Sequence, residues 1–269
     1  MWPRGARIAR PALQRGGARR GHARRRTRRW PSSLRRAGGL VPPADGPAEY
    51  ADEAAFILDL LRRHVDGPLE TLLELGSGGG NTASHLRAHL ALTLTDLAPA
   101  MLDLSRTLNP GCEHLVADMR TARLGRTFDA VLIHDAIMYM TTEADLRAAL
   151  ETAFVHLRPG GAAVFTPDCV RETFRPTTEH GGHDGAGRSL RYLEWSYDPD
   201  PDDTTFVTDF AILLREGVDD VRVRYDRHVE GLFARATWLD LLREVGFDSA
   251  AAVDGWQGDI FVGIRAPSP

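Results

Sequence analysis

The chain has 269 residues, of which 43% are hydrophobic, and this is enough for one sizeable α/β domain with a small addition. Its two cysteines, Cys112 and Cys169, provide neither a disulfide framework nor a zinc pattern, so a reducing cytoplasm is the expected location. No apolar run approaches the ~20 residues that a membrane-spanning helix needs, so no membrane association is expected.

The formal net charge of −4 hides a strong division along the chain. Residues 1 to 40 contain 13 arginines and no acidic residue, which leaves 20 basic against 37 acidic residues in the rest. Because it lacks a hydrophobic period, the segment 1–41 is predicted to be a disordered tail. It could be a nucleic-acid-binding arm, an organelle transit peptide, or translated DNA upstream of a start codon assigned too early. We favour the last, because aromatic residues are limited to Trp2 and Trp30, and nucleic acid is not an expected partner.

Folded structure is predicted to begin near Pro42. A stiff, proline-rich linker reaches Pro47, and residues 48–65 then repeat apolar side chains at helical spacing. Tyr50 lies near the start of this predicted helix, where it either contacts a ligand or packs.

Residues 72–80 read LLELGSGGG, an apolar run that enters a cluster of glycines. This pattern predicts a buried strand ending in a turn where the backbone can approach a ligand, followed by a helix from Asn81. A dinucleotide fingerprint would place a glycine at position 81, and a carboxylate beside the loop, here Glu74, would repel a pyrophosphate. Glu74 instead suits a ligand with an ammonium group.

The next apolar run, residues 92–96, ends at Asp96. An ionised carboxylate only accepts hydrogen bonds, so it suits the two hydroxyls of a ribose. Together with the glycine turn, Asp96 predicts a cofactor that contains a nucleoside.

The spacing E-x-G-x-G-x-G from Glu74 to Gly80 resembles motif I of class I S-adenosylmethionine-dependent methyltransferases. Four later segments resemble that family in the same order: residues 95–102, 117–119, 128–133 and 157–161. The resemblance implies a Rossmann-like α/β fold with a seven-stranded, mostly parallel sheet and helices on both of its faces. Residues 42–168 would form its cofactor-binding core, and residues 234–269 its last helix and strands. It also implies that S-adenosylmethionine is the cofactor, bound by Glu74, Gly76, Ser77, Gly78, Asn81, Asp96, Leu97, Met101, Asp118, Met119, His134 and Tyr50.

His134 directly follows the predicted fourth strand, at the edge where a methyl acceptor would meet the cofactor. It is the candidate catalytic residue, as a general base or an orienting group, and a support behind the adenosine is an equal alternative. Tyr139 suits either a pocket wall or the core.

Residues 169–233 interrupt the alternation of strands and helices. Three β-rich runs, at 189–197, 205–214 and 221–230, predict a three-stranded antiparallel sheet added to the core. The run from Asp226 to Phe233 and the helical pattern after it resemble the tail of small-molecule N-methyltransferases that act on amino sugars. In those, the extra sheet covers the active site and often builds a homodimer. The resemblance implies that the acceptor is bound by Tyr139, His180, Trp195, His228 and Glu230.

The segment 178–184 contains two histidines three residues apart with flanking acids. It could be a metal site, a lid over the acceptor or a surface loop. The glycine pair between the histidines argues for a mobile loop, so no metal is expected.

The predicted reaction is methyl transfer to a small-molecule acceptor, at an amine nitrogen or a hydroxyl oxygen of a metabolite. Acids on the added sheet, Glu194, Asp226 and Glu230, favour a basic or neutral acceptor. The alternatives are a nucleic-acid methyltransferase that uses the arginine tail and a nicotinamide-dependent oxidoreductase.

Overall fold

The computed structural model describes residues 47–185, 187–254 and 258–267. The predicted tail at 1–41 and most of the proline-rich linker lie outside these residues. A 3₁₀ helix, Pro47–Tyr50, leads into the first α-helix where the apolar spacing predicts it. Among the described helices, none combines the length and the apolar character that crossing a membrane requires.

A seven-stranded sheet forms the centre of the molecule, in the order β10-β11-β5-β4-β1-β2-β3. Strands β1 to β5 pair with one another in parallel. Beyond β5, β11 pairs antiparallel with β5, and β10 pairs antiparallel with β11. The predicted seven-stranded, mostly parallel sheet is therefore confirmed. Its strands are β1 Thr71–Leu75, β2 Ala91–Asp96, β3 Glu113–Val116, β4 Phe128–Ile133, β5 Leu157–Phe165, β10 Ser249–Asp254 and β11 Asp259–Ile264.

Helices cover both faces of this sheet. Neighbouring residues of each strand point to opposite sides, so they pack against different helices. Leu72 packs with the first two helices, whereas Leu73 packs with the last two. A second 3₁₀ helix, Asp135–Tyr139, follows β4 directly. The α-helices are α1 Ala51–His64, α2 Asn81–Leu86, α3 Pro99–Leu108, α4 Glu143–Val155 and α5 Arg235–Val245.

The added sheet has four strands rather than the predicted three, in the order β6-β7-β8-β9. The extra strand is the segment predicted as a loop from its glycine pair. It pairs with the next strand along its whole length, and Gly182 is needed there because a Cβ would lie 2.3 Å from the carbonyl oxygen of Leu190. The strands are β6 Thr177–Gly185, β7 Arg188–Tyr197, β8 Thr205–Glu216 and β9 Asp220–Gly231.

The two faces of the added sheet differ in burial. Leu190, Phe210 and Ile212 point inward and are buried, while Leu193 and Tyr225 point outward and are exposed. A small apolar cluster of Met138, Cys169, Phe206 and Leu232 fastens the sheet to the 3₁₀ helix after β4. The inner face therefore lies over the carboxyl edge of the central sheet, next to His134.

Candidate active site

The glycine turn after β1 brings backbone groups to the carboxyl edge of the central sheet. The N–H groups of Gly76 and Ser77 both donate to the carbonyl oxygen of Thr95, at 2.8 Å each. Gly76 has a φ of +76°, and a Cβ there would lie 2.4 Å from the Cβ of Ala136. The turn is thus held to β2 on one side and packed against the segment after β4 on the other, which leaves room for glycine alone.

Asp96 is fixed at the end of β2 by main-chain donors. Its Oδ2 accepts from Gly78 N and its Oδ1 accepts from Ala98 N, both at 2.8 Å. Each carboxylate oxygen keeps a further acceptor position, so Asp96 can still bind hydroxyl groups. Leu97 beside it is 65% exposed, and Met101 extends its Cε over Gly78. These two apolar groups flank the carboxylate as the walls of an adenosine site would.

Met119 reaches the same turn from the loop after β3, directly after Asp118. The Cε of Met119 lies 2.8 Å from the position that a Cβ of Gly76 would take. Asp118 forms an ion pair with Arg120 at 2.7 Å, and this guanidinium lowers the pKa of the Asp118 carboxyl. Arg120 also contacts Asp145 of α4 at 2.9 Å, which ties the loop to the helix layer.

Two buried polar groups beside the turn are short of partners. Neither Glu74 Oε2 nor Ser77 Oγ forms a hydrogen bond with any of the described residues. Burial raises the pKa of Glu74 to about 7, although the nearby His134 works in the opposite direction. A ligand that offers an ammonium group and a further polar group would satisfy both atoms. The chemistry of this donor set fits S-adenosylmethionine.

His134 follows β4 and is buried among carboxylates. Its Nε2 lies 3.0 Å from Glu53 Oε1 and 3.5 Å from Asp135 Oδ1, in ionic contacts without hydrogen-bond geometry. Burial opposes the charged form, but Asp135, Glu53 and Glu74 outweigh it and raise the pKa of His134 to about 10. The raised pKa favours the charged imidazolium at neutral pH, a form that can donate hydrogen bonds but cannot accept a proton. This charge favours the orienting role over the general base, and both roles stay predictions.

Glu53 is a site residue that the sequence analysis missed. It lies on the buried face of α1 with Ile57 and Leu60, and it is only 8% exposed. The sequence did contain a signal for it, because Glu53 falls on the apolar face of an amphipathic helix. Carboxylates are almost never buried on such a face without a function or a partner.

A cleft opens between the carboxyl edge of the central sheet and the inner face of the added sheet. Glu53 and Asp135 stand at its inner end, beside His134, so the cleft adjoins the cofactor site. It is lined by Glu53, Asp135, Thr166, Pro167, Asp168, Cys169, Thr173, Phe174, Arg175, Glu179, Glu194, Ser196, Phe206, Thr208, Phe210, His228, Glu230, Gly258, Asp259 and Ile260.

Two of the predicted acceptor residues, His228 and Glu230, do line this cleft. His228 lies between Asp226 Oδ2, 3.1 Å from its Nε2, and the hydroxyl of Tyr139, 3.3 Å from its Nδ1. Glu230 Oε2 accepts from Thr208 Oγ1 at 3.1 Å. Tyr139 therefore contacts the cleft by way of His228, whose imidazole its hydroxyl helps to hold in place.

His180 and Trp195 were predicted to bind the acceptor, and the structure places both on the other face of the added sheet. Trp195 is 52% exposed, and His180 pairs in register with the exposed Leu193. Successive strand residues alternate between faces, so their neighbours Glu179 and Glu194 line the cleft instead. This placement does not support a contact of His180 and Trp195 with the acceptor, which stays a prediction.

Two predicted cofactor residues lie at the start of helices near the glycine turn. Asn81 is the first residue of α2, directly after Gly80. Tyr50 ends the 3₁₀ helix that packs on α2, which places it at the same end of the site. Their contacts with a cofactor stay predictions. In the described part of the chain, no three His, Cys, Asp or Glu side chains are grouped as a metal site would need.

Residues 72–161, which run from β1 through the glycine turn into β5, match a family described as a methyltransferase domain. Over the whole fold, the crystal structure of DesVI from Streptomyces venezuelae superimposes with a TM-score of 0.75 at 26% identity, covering 87% of this chain and 97% of that one. The chain therefore matches a methyltransferase domain over residues 72–161, and its fold as a whole is similar to that of DesVI.

Two further proteins are similar to this chain in sequence or structure. The dTDP-3-amino-3,6-dideoxy-alpha-D-glucopyranose N,N-dimethyltransferase of Streptomyces fradiae is 36% identical over 146 residues, which are 50% of this chain and 55% of the relative. S-adenosylmethionine-bound CalS10, an amino pentose methyltransferase from Micromonospora echinaspora, superimposes with a TM-score of 0.73 at 27% identity, covering 87% and 96% of the two chains. The chain spans about half the length of the curated relatives that it matches.

Proposed function

We propose that this methyltransferase transfers the methyl group of S-adenosylmethionine to the amine nitrogen of a small-molecule acceptor, of the amino-sugar type. The observation that carries the proposal is the acidic cleft that meets the cofactor site at His134 and Glu53. Carboxylates along a cleft raise the local concentration of cations and stabilise them, so they select basic acceptors. The names of the relatives, which act on amino sugars, support the same class.

Each half of the site has a separate task in this reaction. Asp96 would hold the ribose hydroxyls, and Glu74 would hold the methionyl ammonium, while Met101 and Met119 pack on the adenosine. When bound, the cofactor would supply an electrophilic methyl group on a sulfonium. An acceptor held as an ammonium has no free lone pair, so it would first give a proton to a cleft carboxylate or to water. The freed nitrogen would then take the methyl group, with S-adenosylhomocysteine as the leaving group and a methylammonium as the product. Alignment of two reactants can contribute ~7–11 kcal/mol, so the protein needs to position the groups more than to activate them. The added sheet excludes water from the cleft, and His134 orients the acceptor beside Glu53.

The cofactor part of the proposal is tested by calorimetry with S-adenosylhomocysteine. Replacing Asp96 by alanine should weaken binding by ~1.5–3 kcal/mol, because hydrogen bonds to a charged acceptor are lost. Asp103→Ala is the matched control, since Asp103 makes an exposed ion pair on α3. Unchanged affinity in Asp96→Ala, or tight binding of NADH in its place, would overturn the cofactor assignment.

The transfer part is tested with radiolabelled S-adenosylmethionine on a panel of amino sugars, other amines, their hydroxyl analogues and RNA. We expect label in the amines alone. Label in RNA, reduced when residues 1–40 are deleted, would favour the nucleic-acid alternative.

We also propose that the outer face of the added sheet pairs two copies of the chain. This outer face carries large apolar side chains that are exposed in a single chain: Leu193, Trp195, Leu213, Val223 and Tyr225. Exposed apolar patches of this kind mark association surfaces. Light scattering should give a dimer for the full chain and a monomer for Trp195→Glu. Val218→Glu, in the turn after β8, is the control and should stay dimeric, and a dimer in Trp195→Glu would contradict this interface.

A further inference from the structure

Three buried polar atoms along the cleft have no hydrogen-bond partner within the described residues. They are Glu53 Oε2, Thr166 Oγ1 and Asp259 Oδ2, and all three residues line the cleft. Burying a polar group without a partner costs free energy, and nearly all such groups in proteins are satisfied. Three of them on one cleft wall indicate a polar ligand that completes their hydrogen bonding.

These atoms belong to neighbouring positions on the carboxyl edge of the central sheet. Glu53 contacts His134 at the end of β4, and Thr166 follows β5, its N–H donating to Ile133 O at 3.2 Å. Asp259 begins β11, which pairs with β5. Two strand intervals correspond to roughly 10 Å, which one substituted sugar ring and its hydroxyl groups can span.

The chemistry of the three atoms distinguishes two ends of that ligand. Glu53 Oε2 is a carboxylate oxygen next to the cofactor side, where an amine nitrogen has to lie. Thr166 offers a hydroxyl that both donates and accepts. Asp259 Oδ2 belongs to an ionised carboxylate and only accepts, while Oδ1 of the same group accepts from Arg235 Nε at 2.7 Å. Hydroxyl groups of a sugar match both, since each can donate to one and accept from the other.

The charges of the cleft lining also bear on the diphosphate, which the dTDP-linked substrates named for the curated relatives carry beside the sugar. Among the residues that the structure describes, seven carboxylates line the cleft against one guanidinium, that of Arg175, and one imidazole, that of His228. Arg175 also donates to the carbonyl oxygens of Glu172 and Phe174. A diphosphate would meet like charges along this wall, and such juxtapositions are strongly unfavourable.

We propose that the acceptor is an amino sugar that is not attached to a nucleoside diphosphate, either free or as a neutral glycoside, with its amine on Glu53. This specificity rests on the proposed N-methylation and differs from the dTDP-linked sugar in the names of the curated relatives. Glu53 is a substrate-binding residue in this arrangement, and Thr166 and Asp259 bind the ring hydroxyls.

Binding is measured on the full chain saturated with S-adenosylhomocysteine, using four probes. They are the methyl glycoside of 3-amino-3,6-dideoxyglucose, its 3-hydroxy counterpart, the dTDP-linked amino sugar and dTDP alone. The amino glycoside should bind at least about tenfold more tightly than either the dTDP-linked sugar or the hydroxy glycoside, and dTDP should not compete. Glu53→Gln should weaken binding of the amino glycoside about tenfold and leave binding of the hydroxy glycoside unchanged. Glu151 is exposed on α4, so Glu151→Gln is the control and should change neither affinity.

Equal or tighter binding of the dTDP-linked sugar, or competition by dTDP, would overturn this specificity. Methylation of the dTDP-linked sugar but not of the glycoside would also overturn it and leave N-methylation in place. If cofactor binds but no amine of the panel is methylated, the proposed function itself fails. An unchanged affinity of Glu53→Gln for the amino glycoside would remove Glu53 from the acceptor site.

Discussion

The cofactor side and the acceptor side of this site are built from different materials. Around the glycine turn, recognition depends on backbone: Asp96 is held by two main-chain N–H groups, and Gly76 fits where no Cβ can. In the proposed acceptor cleft, the lining consists of side chains from α1, the segment after β5, β11 and the added sheet. A backbone site tolerates few substitutions, whereas a side-chain cleft can change its specificity one residue at a time.

The sharpest test of this division is at His134, which lies on the boundary between the two sides. Replacing it by alanine should leave the affinity for S-adenosylhomocysteine nearly intact and lower turnover by ~10²-fold, as the loss of an orienting contact does. His89→Ala, exposed after α2, is the control. If His134→Ala abolishes cofactor binding and spares the turnover of what binds, the imidazole supports the cofactor side instead.

A backbone test of the cofactor side is Gly76→Ala. The new Cβ would collide with Ala136 at 2.4 Å and strain a residue at a φ of +76°. Overpacking and backbone strain should together cost about 2 kcal/mol, or ~30-fold in cofactor affinity by calorimetry. Gly217→Ala has a similar φ of +63° and open space around it, so it should bind cofactor normally. Normal binding by Gly76→Ala would show that the turn can shift.

A pH titration separates the charged part of the cofactor side from its backbone. Glu74 has a pKa of about 7 in this state, so below pH 7 its proton must leave before an ammonium can bind. Cofactor affinity should therefore fall by up to ~tenfold per pH unit below 7 and be constant above it. His134, with a pKa of about 10, stays charged over this range. Glu74→Gln should flatten the profile, Glu70→Gln should not, and a pH-independent affinity in the unmodified chain would contradict the assignment.

The smallest effect is expected outside both sides, at the arginine-rich tail. A chain that begins at Pro42 should fold, bind cofactor with unchanged affinity and melt within a few degrees of the full chain, as measured by calorimetry. A collapse of solubility or of cofactor affinity would show that residues 1–41 contribute to the domain.

Much of the cofactor side could be predicted, because its signals are local in the sequence. Glycines at fixed offsets after an apolar run, and an acid at the end of the next run, determine a strand, a turn and a carboxylate at one sheet edge. Met101 and Met119 were placed through the family resemblance, and the structure brings both to the glycine turn. The seven-stranded, mostly parallel sheet was also expected from the family resemblance, and the structure has it.

The acceptor side was predicted less well, for two physical reasons. The glycine pair in β6 is typical of a loop, but tertiary pairing with β7 supplies the hydrogen bonds that make it a strand. The face of a strand also changes with every residue, so predictions at His180 and Trp195 missed the cleft by one position.

By itself, the sequence determined the class of fold, the cofactor and the position of the chemistry at the carboxyl edge, because these depend on the order of short local patterns. Only the tertiary structure decided which acids meet in the cleft. Glu53 comes from a helix some eighty residues before its partner His134, and Asp259 comes from the far end of the chain. Charges so distant in sequence act on one ligand only after the sheet, helix and added sheet have packed together, since electrostatic interactions depend on distance in space.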